Sequence, residues 1–108
     1  MPHERYAPRR AQQKCTTLSV VRFVWDRRKA ASNLKKHGVS FEEARDAVLD
    51  PLAYSDIDEG HGDGREWLLG RSSVGKTLFV VLLEVEGDSV RIISARHATA
   101  HERRLYEG

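Results

Sequence analysis

The chain has 108 residues, of which 40% are hydrophobic and 31% charged, with a net charge of +2. Such a length and balance describe one folded globular domain rather than a disordered segment or an array of domains. No apolar run approaches the roughly 20 residues of a membrane helix, so no membrane partner is expected. The single cysteine, Cys15, can form neither an internal disulfide nor a zinc knuckle, which points to a reducing cytoplasm.

The charge is unevenly placed. Residues 1–19 carry Arg5, Arg9, Arg10 and Lys14 against Glu4, so they hold +3, and residues 20–108 together sum to −1. The basicity belongs to the leader, and overall charge is poor evidence for nucleic-acid binding by the rest. Residues 1–19 show no periodicity and read as a flexible basic tail; a tail that touches nucleic acid is the functional alternative. The domain is expected over 20–108.

Val20 to Trp25 is a short β-rich run. Asp26 suits a helix N-cap, and a helix over Arg27 to His37 stops at Gly38, with Lys35, Lys36 and His37 matched to its negative end. Ser40-Phe41-Glu42-Glu43 is a capping box that opens a second helix, ended by Asp50-Pro51. Ala53 to Asp58 reads as a strand, and Glu59 to Gly64 as a glycine-rich loop. Trp67 to Leu69 form a strand running into Arg71. Thr77 to Val85 is the most apolar strand and is placed centrally. Glu86-Gly87-Asp88 is a turn, Val90 to Ala95 the last strand, and Thr99-Ala100-His101-Glu102 a second capping box before a terminal helix. The order βααββββα predicts an α+β fold with a small antiparallel sheet.

Two arginines end strands, Arg71 after Leu69-Gly70 and Arg96 after Ser94-Ala95. A guanidinium keeps its charge and grips phosphate through parallel N–H donors. For either arginine alone, a surface salt bridge with Asp58 or Glu66 is the better reading; only their joint placement brings the functional reading level with it. Together, on one sheet face, they can stabilise charge developing on a phosphorane. No carboxylate base stands out beside them. His61, in the glycine loop, is a candidate general acid or base. His37 reads as a helix cap. His97 and His101 have metal-ligand spacing on paper, but no supporting motif, so no metal or other cofactor is expected. Lys36, Arg103 and Tyr106 offer phosphate contacts and a ring, against the plainer reading of solvated helix faces. Trp25 and Trp67 read as core. Ser72 to Thr77 lacks the first glycine and following helix of a phosphate-binding loop, and no nucleophile elbow is present.

Trp25-Asp26, Lys29, Asn33 and Lys36-His37-Gly38-Val39-Ser40-Phe41-Glu42-Glu43-Ala44 together resemble the opening signature of the BrnT family of toxins. Leu69-Gly70-Arg71-Ser72, Ile92 to Arg96, Glu102-Arg103 and Tyr106 resemble its later motifs, so the likeness runs from about Val21 to Tyr106. The resemblance implies a RelE-like fold and a ribonuclease that shuts down translation. It also implies a BrnA-like antitoxin with a ribbon-helix-helix half, assembled as two toxins with two antitoxins, that occupies operator DNA. On this likeness Arg71 and Arg96 would bind the scissile phosphate, His61 would transfer a proton, Lys36 and Arg103 would contact phosphates, and Tyr106 would meet RNA. The 2′-hydroxyl would attack without metal. Two other readings remain open: a catalytically silent module that only holds antitoxin and DNA, and a nucleic-acid-binding domain without cleavage.

Overall fold

A computed structural model describes residues 22–60, 62–85 and 88–108. The expected tail at 1–19, the loop histidine His61 and the turn residues Glu86 and Gly87 lie outside the described residues. The elements are β1 (Arg22–Val24), α1 (Arg27–His37), α2 (Phe41–Val48), β2 (Tyr54–Ile57), β3 (Glu66–Arg71), β4 (Thr77–Val85), β5 (Ser89–His97) and α3 (Ala100–Glu107). The α+β order βααββββα holds.

All three helices start for the reasons their sequences give. The Asp26 carboxylate accepts from the backbone N–H groups of Arg28 (2.8 Å) and Lys29 (3.3 Å). Reciprocal capping boxes join Ser40 to Glu43 and Thr99 to Glu102. Helix α1 ends at Gly38, whose φ of 72° is left-handed backbone that favours glycine, and whose N–H returns to the Leu34 carbonyl.

The five strands form one sheet in the order β1-β5-β4-β3-β2. The pairs among β2 to β5 are antiparallel, as expected, but β1 runs parallel to β5. The first strand skips its sequence neighbours and pairs with the last, and nothing in its three residues discloses that partner. Helix α2 lies on one face of the sheet. There Val39, Phe41, Ala44, Ala47 and Val48 pack on Leu68, Leu78, Val80, Leu82, Ile92 and Ala95. Trp25 meets Phe41 edge to face at 5.8 Å. Gly70 permits a close approach of helix and sheet: a Cβ there would lie 2.1 Å from the Ala47 carbonyl oxygen.

Strand β5 contains a bulge. Val81 faces Ser94 and Leu82 faces Ile92, which leaves Ile93 as the extra residue. The bulge resets the alternation, so Ile92 and Ala95, three apart, both face the core at 1% exposure. Ser94 and Arg96 then face the other side.

The edge of β5 past β1 is completed by a side chain. The Asn33 amide donates to the carbonyls of Ala95 (2.8 Å) and Val39 (3.0 Å), and accepts from the Ala95 N–H (3.1 Å). A buried asparagine thus pairs with Ala95 as a neighbouring strand would. Asn33→Leu, similar in volume, strands those backbone groups and is expected to cost about 2–4 kcal/mol. Urea unfolding checks this: the midpoint should fall at an unchanged slope.

Candidate functional site

Strand alternation sends one set of side chains from β3, β4 and β5 to the core and the other to the opposite face. Leu68, Val80 and Ala95 share a register row and are core; Leu69, Phe79 and Arg96 share the next row and are on the opposite face. Arg71, two residues beyond Leu69, lies on that face too, paired with Thr77. The two arginines come from strands that are not neighbours, since β4 separates them, yet they emerge on one side. Helix α3 meets both through side chains four apart, Glu102 and Tyr106.

Arg71 is exposed at the end of β3. Its backbone N–H donates to Asp50 Oδ2 at 2.8 Å, and its guanidinium carbon lies 5.4 Å from the centre of the Tyr106 ring. The Tyr106 hydroxyl donates to the same Oδ2 at 2.5 Å, while Asp50 Oδ1 accepts from the Leu52 N–H at 2.9 Å. One carboxylate therefore joins the end of α2, the end of β3 and the last turn of α3. Burial, with the Asp50 carboxylate beside it, pushes the Tyr106 hydroxyl above its ordinary value of 10.0, so it keeps its proton at neutral pH. A cleft of about 610 Å³ opens here between Leu49, Pro51, Leu52, Arg71, Ser73 and Tyr106.

Arg96 is half-buried and held on three sides. Its two terminal nitrogens donate to the two Glu102 oxygens at 2.9 and 3.0 Å, a bidentate pair. Nη1 also donates to the His97 carbonyl at 3.2 Å, and the guanidinium carbon stands 4.1 Å from the centre of the Phe79 ring. Glu102 simultaneously accepts from the Thr99 N–H at 2.9 Å. The Arg96 hydrogen bonds hold the Glu102 carboxyl below its ordinary value of 4.5, so it is ionised at neutral pH.

Of the candidates read from the sequence, Arg71, Arg96 and Tyr106 come together. Arg103 is exposed on α3, its Nη1 donating to the Ala98 carbonyl at 3.2 Å. Lys36 is exposed in the last turn of α1, the helix that packs on β5 and α2. His97 and His101 are both exposed. Trp67 departs from the expected core position: it is half-buried on the open face, because Leu68 takes the core-facing place.

Two carboxylates were missed. Asp50 reads in the sequence as the stop of a helix before proline, and Glu102 as a capping glutamate. Both do those jobs and also hold an arginine of the site. The only sequence signal was the ordered spacing Arg96, Thr99, Glu102, which a capping box already explains. The arrangement offers a phosphodiester two guanidiniums on one face, with ionised or proton-donating groups against each.

Comparisons with known proteins agree with this frame. The sequence pattern of a family described as ribonuclease toxin, BrnT, of type II toxin-antitoxin system matches residues 25–102. A solved structure, the 1.1 Å crystal structure of the Brucella abortus ribonuclease toxin BrnT, superposes with a TM-score of 0.60 at 22% identity. The match covers 73% of this chain and 97% of that one, and supports the fold. No curated protein matches.

The Arg96–Glu102 pair sets a pH response. Because folding lowers the Glu102 pKa, the pair's contribution is complete above the ordinary 4.5 and is lost as pH falls through the lower folded value. Glu102→Gln keeps an acceptor for the capping box and removes the charge. Urea midpoints of the two proteins should differ most at neutral pH and converge below 4.5; a constant gap at all pH values would contradict the assignment.

Proposed function

The chain belongs to the BrnT family of ribonuclease toxins of type II toxin-antitoxin systems, and on that premise we propose that it is an endoribonuclease whose cutting site is the Arg71–Arg96 face. The observation that supports this reading is the joint placement of the two guanidiniums, one exposed and one half-buried, against a single helix. The ribose 2′-hydroxyl attacks the adjacent phosphorus, the bond from phosphorus to the 5′-oxygen breaks, and a cyclic phosphate forms. Negative charge builds on the non-bridging oxygens, where Arg71 and Arg96 stabilise it. The chemistry needs no metal in this scheme. His61 is the proposed proton-transfer group, taking the 2′-hydroxyl proton and returning one to the departing 5′-oxygen. Lys36 and Arg103 contact flanking phosphates, and Tyr106 supports Arg71 from below its guanidinium while lying at the RNA.

Arg96 must exchange the Glu102 carboxylate for phosphate in this scheme, and ionised Glu102 competes with the substrate. A type II toxin has an antitoxin; here the proposed partner is a BrnA-like ribbon-helix-helix protein, two copies with two toxins, which carries the complex to operator DNA. The closed Arg96–Glu102 pair is also the observation that favours the second reading, a silent module that binds antitoxin and does not cut.

Induced alone, the protein is expected to arrest growth, and purified it should cut RNA in EDTA, leaving cyclic-phosphate ends. Arg71→Ala with Arg96→Ala should lower the cleavage rate about 100-fold or more at equal soluble level. A double variant that arrests growth as well as the wild type would overturn the arginine-based mechanism. Binding of antitoxin with neither RNA retention nor fragments would select the silent module, and retention of RNA without fragments would select a nucleic-acid-binding domain that does not cut.

A further inference from the structure

The face that carries the arginines also carries three rings. Tyr54 of β2 meets Trp67 of β3 edge to face, with ring centres 5.7 Å apart. Trp67 lies nearly parallel to Phe79 of β4, at 5.9 Å and 12°. Arg96 of β5 sits over Phe79. The row thus crosses four strands, rings first and a cation last. None of the three rings belongs to the hydrophobic core on the other face, and all three are half-buried. Keeping aromatic surface partly wet on an open sheet is costly unless something covers it.

We propose that this row is a base-stacking platform, in which Trp67, braced by Tyr54 and Phe79, takes an unpaired nucleobase next to the phosphate held by Arg71 and Arg96. The ligand class rests on the RNA-cutting reading above; the residues and their placement do not. Trp67 stands four residues from Arg71 on the same strand, about 13 Å along it, too far to share one phosphate. A ring at that distance meets a base that flanks the cut. Rings beside guanidiniums match the two chemistries that one nucleotide carries, a flat π-face and an anion. A nucleotide brings a ring for the aromatic row and an anion that can take the place of Glu102 at Arg96, whereas an apolar protein surface brings only the first.

The test uses the full chain and a single-stranded oligoribonucleotide with 2′-O-methyl groups, which binds but cannot be cut. Trp67→Leu should raise its Kd about ten-fold, and Trp67→Phe, which keeps a ring, should raise it less. An oligomer of the same length with abasic sites should bind the wild type and Trp67→Leu equally. Thermal melting of each variant establishes that it is folded, and Trp67→Met, which also lacks a ring, replaces Trp67→Leu if that protein does not fold. Equal affinity of wild type and Trp67→Leu for the intact oligomer would overturn the proposal. So would a Trp67→Leu defect confined to the antitoxin complex, which would give the face to a protein. Trp67-dependent binding by a protein that never cuts would leave the platform standing and remove the ribonuclease reading. Cleavage with a Michaelis constant indifferent to Trp67 would do the reverse.

Discussion

The Asn33 amide holds the two ends of the fold together. Strand β1 covers β5 only from Ser89 to Arg91, and the next backbone groups on that edge face no strand. A hydrophobic residue at 33 would leave the Ala95 N–H and C=O buried and unpaired; lysine or glutamate could offer only one half of the pair. Asparagine offers both a donor and an acceptor at once. Its second donor hydrogen takes the Val39 carbonyl and thereby fixes the turn from α1 into α2. Helix α2 then carries Phe41, Ala44 and Ala47 onto the sheet, and Asp50 follows from its end. The position of Arg96, one residue past Ala95, is therefore referred to the same amide.

The site is built from carboxylates that also serve the local backbone, Glu102 in a capping box and Asp50 in the turn that follows α2. Each carboxylate turns its remaining hydrogen-bonding capacity to an arginine strand or side chain. This couples secondary structure to site geometry in a direct way. Fraying of the first turn of α3 releases Arg96, and slippage of the last turn frees Tyr106 from Asp50. Two anions beside two cations also keep the resting face close to electrically balanced. An incoming phosphate must displace a protein carboxylate rather than enter an empty cationic hole, which favours ligands that bring more than charge.

Much of the architecture was legible because its signals are local. The Asp26 cap, the Gly38 stop and both capping boxes depend on residues within four positions of one another, and α1 and β4 fall where those signals and the apolar run put them. The parallel pairing of β1 had no local signal, because its partner lies at the other end of the domain. The bulge at Ile93 hid behind an ordinary-looking apolar strand; only the three-residue spacing of Ile92 and Ala95 betrays it. Trp67 was misplaced because Trp67-Leu68-Leu69 is apolar on both sides of the strand, and alternation has nothing to choose between. The two site arginines were legible as strand ends, whereas the Asp50 and Glu102 partners were not. A carboxylate already explained by a cap gives no hint of a second contact far along the chain.

The parallel pairing has a consequence in time. Strand β1 opens the domain, yet its partner is the last strand, and the Asn33–Ala95 bonds span 62 residues. Contacts so distant in sequence are closed late and at an entropic cost. Synthesis proceeds from the N-terminus, so α1 and α2 are complete while the strand they must pack on is still unmade. Arg96, Glu102 and Tyr106 all lie in the last two elements of the domain, β5 and α3. A nascent copy is thus unable to assemble the arginine face until residues 96–106 have followed the rest of the domain out of the ribosome.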